Sequence, residues 1–315
     1  MLRLLEMDKN INKNSRGNLL IIAGSDMYPG AATLSALGAL RAGAGLVFVA
    51  TTHFAASSLN VALSEAIPLV CDTKNGAISF ASLTQKIEPI MQKIDAIVLG
   101  PGLSRTAEAQ KILQFVATEF SRLPKVFDAD ALFYLKNWKP TSEEGRNIII
   151  TPHLGEASNL LGKEVTLSYS TAVELIIKTN CHVYLKGHES YIAIQEDELK
   201  VKSYSQDNSN NNFSYNFPRG KVYSNQLVDS LPRHIIGSPS LAVAGSGDVL
   251  AGAIGALLAR TQKRHFYSNI DTFLYATYLA AKAHAEAGIS LEEKFGVNGN
   301  LASEIANELP RFLNV

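Results

Sequence analysis

An α/β fold, with a central, mostly parallel sheet flanked by helices on both faces, is what three features of this chain predict. Its short apolar runs, such as "NLLIIAG" and "NIIIT", do not alternate in polarity, so those strands must be buried on both faces. Helix-patterned segments lie between the runs, as parallel pairing requires. Glycines and polar residues gather just behind the runs, at Gly24-Ser25-Asp26, Gly100-Pro101-Gly102, Asp128-Ala129-Asp130, Thr151-Pro152-His153 and Lys186-Gly187. In open parallel sheets ligands bind beyond that carboxyl edge.

The elements follow in order. Asn18 to Gly24 reads as a buried strand, and Gly30 to Gly43 as a helix with Pro29 in its first turn and Gly43 at its stop. "LVFVAT" is the next strand, and Ala96 to Gly100 another, followed by the "GPGL" turn and a helix from about Thr106 to Phe120. "KVFDAD" and "NIIIT" are strands that end in polar residues. Helices are expected near Glu156 and Thr171. "HVYLKG" and "SYIAIQ" read as a β-hairpin with Gly187 and His188 near its turn. The residues from Asp248 onward read as mainly helical. Between them "SYSQDNSNNNFSYNFPRG" is rich in Asn and Ser and poor in aliphatics, and reads as an exposed insertion near 203–237 without chemistry of its own. The whole is read as a single domain, 1–315.

Composition narrows the functions. Lys+Arg and Asp+Glu both total 29 in 315 residues, so no polyanion-seeking surface is expected and nucleic acid is a poor partner. Cys71 and Cys181 have no metal-ligand spacing and read as reduced, buried thiols of a cytosolic protein. The N-terminus lacks the pattern of a signal peptide. The longest apolar run, Leu241 to Arg260, has nearly the length of a membrane span. It carries Asp248 and four glycines, so a buried helix explains it better.

That run also raises the chemical question. In "AGSGDVLAG" a helix beginning near Ser246 would turn the amides of Gly245 to Asp248 outward, where free N–H groups and the helix dipole attract an anion. A carboxylate in that turn can accept a hydroxyl proton beside a transferring phosphoryl group. Asp is also simply favoured in first helical turns. His153 and Glu156, three apart, fall on one side of a helical turn. Glu156 can hold magnesium through water, or cap the helix amides. Lys186, ending an apolar strand, can pair with a phosphate or snorkel to the surface. Asp130 is expected to cap a short helix from Ala131 to Leu135.

Taken together, "GSDMYPGAATLSALGALRAGAGLVFVAT", "VLGPGL", "FDADAL", "TPHLGEASNLL", "YLKGHES" and "AGSGDVLAGAIGALLA" resemble, in order, the ADP/ATP-dependent NAD(P)H-hydrate dehydratases of the ribokinase-like superfamily. The resemblance implies a repair enzyme that phosphorylates the hydroxyl of (S)-NADHX or (S)-NADPHX and then eliminates phosphate. The co-substrate would be ADP, converted to AMP and phosphate, or ATP, with Mg2+. It implies Asp248 as catalytic base and Gly245, Ser246 and Gly247 as the anion hole. Lys186, Gly187, His188, Glu189, Ser190 and Gly247 would contact the nucleotide. Ala31, Gly102, His153 and Asp248 would contact the hydrate, and Glu156 would help to place magnesium. A cytoplasmic homo-oligomer, a tetramer by resemblance, is implied, with a separate epimerase for the (R)-hydrate. Ser104 stands where the family often has Gly, Ser190 where Thr is common, and His153 where the wider superfamily has Asn. Two other readings stay open: a kinase of a small alcohol such as a hydroxyethylthiazole-like vitamin precursor, and a catalytically silent binder. His153 speaks against the first, and the intact Lys186, Glu156 and Asp248 set against the second.

Overall fold

A computed structural model describes residues 16–195, 232–264 and 269–313. Strands β1 (Asn18–Ile22), β2 (Leu46–Thr52), β3 (Ile67–Cys71), β6 (Ala96–Leu99), β7 (Lys125–Phe127), β8 (Ile148–Ile150) and β9 (His182–Leu185) are mutually parallel. Antiparallel β10 (Glu189–Ala193) and β11 (His234–Ile236) extend one edge, giving the order β11-β10-β9-β8-β7-β6-β1-β2-β3. A separate small hairpin pairs β4 (Thr73–Lys74) with β5 (Ala77–Ile78).

The non-alternating apolar pattern has the expected consequence. Leu19 and Ile21 pack on one face of the sheet, Leu20 and Ile22 on the other, and all four are 0% exposed. The first face is covered by α1 (Pro29–Arg41), α9 (Ser246–Arg264), α10 (Asn269–Phe295) and α11 (Ala302–Leu313). The second carries α3 (Phe80–Ile87), α4 (Ala107–Glu119), α7 (Leu154–Leu161) and α8 (Tyr169–Thr179). Helices α2 (His53–Ala62), α5 (Asp130–Tyr134) and α6 (Ser142–Gly145) complete the set among the described residues.

Helix α9 answers part of the question its sequence poses. It is apolar nearly all round because it is buried nearly all round: Val249 to Thr261 are buried without a break. Gly38 of α1 lies against the Val249 carbonyl, and Gly252 against that of Ser35, so closely that a Cβ at either would overlap backbone. No helix among the described residues is long and apolar enough to cross a membrane.

Two elements depart from the expectation. Strand β3 is not anticipated because Pro68 sits in it; proline is tolerated here because β3 is an edge. The Asn-rich stretch itself lies outside the described residues. The insertion's expected end near 237 is too late, however. His234–Ile236 already forms β11 and pairs with Glu189 to Tyr191, because "HII" offers a β-branched pair to an open strand edge. Cys71 and Cys181 are buried free thiols, as expected, and burial pushes each up to about 12.

Candidate active site

The carboxyl edge of the sheet brings the charged residues together. Lys186, the first residue after β9, donates to Asp128 Oδ1 at 2.6 Å, and Thr151 Oγ1 donates to the same oxygen at 2.7 Å. Asp128 is 1% exposed and the Lys186 side chain 18%, so Lys186 does not snorkel. Burial works against the Lys186 charge, but Asp128 and Glu156 outweigh it and hold its pKa above the ordinary lysine value.

The start of α9 faces this pair. Gly245 has φ +86° and abuts Leu34, so only glycine fits there. A Cβ on Gly247 would lie 3.2 Å from Lys186 Nζ and 3.9 Å from Asp128 Oδ2. A side chain at Gly247 would therefore crowd the lysine, and the bare Cα keeps the helix start close to it. Of the amides expected to face outward, that of Ser246 does not: it donates to Val243 O at 3.2 Å, because a tight turn enters the helix. The amides of Gly245, just before the helix, and of Gly247 and Asp248, in its first turn, have no backbone acceptor and stay available.

Asp248 follows in the first turn of α9. Burial first, and the neighbouring charge of Asp128 second, push its carboxyl up to about 7, with Lys186 pulling the other way. A carboxylate so poised changes charge near neutral pH, which suits general-base work. Burial also raises the Glu156 pKa, against the pull of Lys186.

His153 and Glu156 do share a side, and both cap α7. His153 Nδ1 accepts from the amides of Gly155 (3.0 Å) and Glu156 (3.3 Å), while Glu156 Oε2 accepts from the His153 amide at 2.9 Å. With Nδ1 so used, Nε2 carries the proton when the ring is neutral. The imidazole stands 60% exposed beside the Lys186 strand end, to which His153 is bridged.

Ala31 and Gly102 meet at the same carboxyl edge, where a Cβ on Gly102 would lie 2.8 Å from that of Ala31. Ser104 holds φ +68° here, with its amide donating to Asp130 Oδ2 (2.9 Å) and its hydroxyl to Ser25 Oγ (2.9 Å). This corrects the expectation for Asp130. It caps no helix; the residue before α5 is Ala129, which makes no side-chain cap, and Asp130 instead ties Ser104 and Arg105. The reason is Ala129 itself, whose φ of +50° and ψ of −119° throw Asp128 and Asp130 to different partners.

The hairpin residues split. The Ser190 hydroxyl closes its own turn, accepting from the Gly187 amide (3.2 Å) and donating to Gly187 O (3.0 Å). Glu189 accepts from Tyr191 OH at 3.1 Å and lies 3.4 Å from His234 Nε2. Sequence reasoning missed Asp128 and Thr151 as the anchors of Lys186, although Asp128 ends an apolar strand and was visible on that ground. It also missed buried His284, whose Nε2 lies 3.0 Å from Ser246 Oγ and 3.1 Å from Ser246 O. A histidine in mid-helix carries no local signal of its partner.

A family model described as NAD(P)H-hydrate dehydratase matches residues 19–211 and 229–311. The chain belongs to this family. It is 29% identical over 307 residues to an ADP-dependent (S)-NAD(P)H-hydrate dehydratase of Xanthomonas campestris, covering 96% of the chain and 90% of the relative. It is 28% identical to a bifunctional NAD(P)H-hydrate repair enzyme of Dictyoglomus turgidum, again over 96% of the chain but 51% of the relative. The chain thus spans about half the length of such bifunctional relatives. A ribokinase-like superfamily protein of Enterococcus faecalis shares the fold, with TM-score 0.70, 22% identity, and coverage of 99% of this chain and 94% of that one.

Proposed function

We propose that this chain is an ADP-dependent dehydratase of (S)-NADHX and (S)-NADPHX. The observation that carries it is Asp248, a carboxyl at about 7 beside two free amides and a part-buried lysine. Asp248 takes the proton of the hydrate's hydroxyl, whose oxygen then attacks the terminal phosphorus of ADP and releases AMP. The amides of Gly247 and Asp248, with Lys186, hold the transferring group. The phosphate then leaves with the electrons of the carbon–oxygen bond, while the adjacent carbon loses a proton and the ring double bond returns. Lys186, Gly187, His188, Glu189, Ser190 and Gly247 contact the nucleotide, Ser190 by shaping the turn. Ala31, Gly102 and His153 contact the hydrate.

Magnesium suits the site. Asp128, Glu156 and Asp248 face one another with Lys186 as their near counter-charge, and burial first, with the charge of Asp128 adding to it, raises the carboxyls of Glu156 and Asp248. Among the described residues no three His, Cys, Asp or Glu side chains could ligate one ion directly, so a hydrated cation held by Glu156 through water is the fit. When bound it would neutralise charge on the phosphates. The chain acts in the cytoplasm, as a homo-oligomer. The test is incubation with NADHX, ADP and magnesium while the absorbance of reduced nicotinamide is followed. Recovery that requires ADP supports the reading. Phosphorylation of a small alcohol with no recovery of NADH would replace it by the kinase reading.

A further inference from the structure

Helix α10 passes across the start of α9, and its His284 is 6% exposed with its ring turned to Ser246. The two contacts of Nε2, at 3.0 Å to Ser246 Oγ and 3.1 Å to Ser246 O, fix its state. A carbonyl oxygen can only accept, so Nε2 must carry a hydrogen. Burial pushes the ring down to about 4, so near neutral pH it is a neutral imidazole with Nδ1 bare. Ser246 is held a second time, by its own amide on Val243 O.

The carbonyl that His284 grips belongs to the same peptide unit as the amide of Gly247. That amide is one of the two left free at the helix start, and it lies where Gly247 faces Lys186. A peptide plane is rigid, so fixing its C=O aims its N–H. Donation to the C=O also polarises the unit and strengthens the N–H as a donor. We propose that His284 is a positioning residue for phosphoryl binding, acting through the Ser246–Gly247 peptide on the amide that receives the terminal phosphate of the nucleotide. The inference deepens the dehydratase reading and rests on it for the identity of that nucleotide.

Three proteins test it: wild type, His284→Leu and His284→Gln, the last keeping an N–H donor. Each is titrated with ADP and with AMP by calorimetry, and assayed for ADP-dependent recovery of NADH from NADHX at a temperature where its melting curve shows it folded. In His284→Leu the affinity advantage of ADP over AMP shrinks several-fold and kcat falls about tenfold, the scale of one hydrogen bond. His284→Gln recovers most of both. A purely structural histidine would instead lower the melting temperature and leave the ADP-to-AMP ratio and kcat unchanged, and that result would overturn the proposal. Equal weakening of ADP and AMP would overturn it too. If wild type binds ADP but returns no NADH, the dehydratase reading fails, while the ADP-to-AMP comparison still judges His284.

Discussion

A buried lysine and a part-buried one stand at opposite edges of the same sheet. Lys125 opens β7 at the starting edge, is 0% exposed, and donates to the carbonyls of Phe120 (2.6 Å), Ser121 (3.3 Å) and Leu123 (2.7 Å). Lys186 follows β9 at the finishing edge and donates to the carboxylate of Asp128. Burial drives Lys125 down to about 7, because carbonyl dipoles satisfy its N–H groups without a full counter-charge beside it. Lys186 is driven the other way, by carboxylates. One lysine ties off the chain behind α4; the other assembles charge around a crevice. A buried charge is thus no sign of function until its partners are known.

The sharpest break between the edges is expected at Asp248. Asp248→Asn folds but loses about 10²–10⁴-fold in kcat, the usual worth of a positioned base. In wild type, kcat/KM rises with pH through about 7, where Asp248 becomes ionised. Rate profiles of hydrate dehydration check both, and near-native turnover in the variant would remove Asp248 from the mechanism. Because its folded pKa is raised, native Asp248 holds its proton longer than the unfolded chain does. Its contribution to stability is therefore full at acid pH and is lost as pH rises through about 7. Asp248→Asn should accordingly gain on wild type in melting temperature above that pH.

The lysines themselves come next. Lys186→Met strands Asp128, and should cost about 3–5 kcal/mol of stability together with most activity. Lys125→Met leaves carbonyls short of donors and should cost about 1–3 kcal/mol, with kcat/KM unchanged. Lys125 has a depressed folded pKa, so wild type gains stability from it as pH rises above about 7. The loss in Lys125→Met is then larger at about pH 9 than at about pH 6. Denaturant midpoints at the two pH values measure this; a flat difference would refute the assignment of the shift to Lys125.

A smaller effect separates capping from binding at His153. His153→Ala should lose about 1 kcal/mol of stability through the cap, and raise the Michaelis constant for the hydrate a few-fold more than that for ADP. Asparagine is a strong N-cap, so His153→Asn should restore the melting temperature but leave the hydrate constant raised. If Asn restores both, the imidazole only caps α7.

The smallest effect is at Ser104, on the crevice wall. Ser104→Gly relieves a left-handed backbone by about 1 kcal/mol and loses a hydroxyl bond of similar worth, so stability should change by less than about 0.5 kcal/mol. Ser104→Ala keeps the strain and loses the bond, and should cost about 0.5–1.5 kcal/mol by thermal melt.

The sequence alone determined the layers, the parallel sheet and the edge that matters, because these follow from local periodicity. Non-alternating "NLLII", short and stopped by glycine, reads as a strand buried twice, and glycine behind such strands marks the carboxyl edge. It also determined Asp248 at a helix start, since helix starts have local chemistry. Tertiary structure alone decided partners. Nothing local says that Lys186 will find Asp128, 58 residues earlier, or that Asp130 will hold a loop and not cap α5. Nor does any local pattern bring His284 to Ser246, 38 residues away. Hydrogen bonds and ion pairs are short-ranged in space and indifferent to separation along the chain, so only the packed fold can assign them.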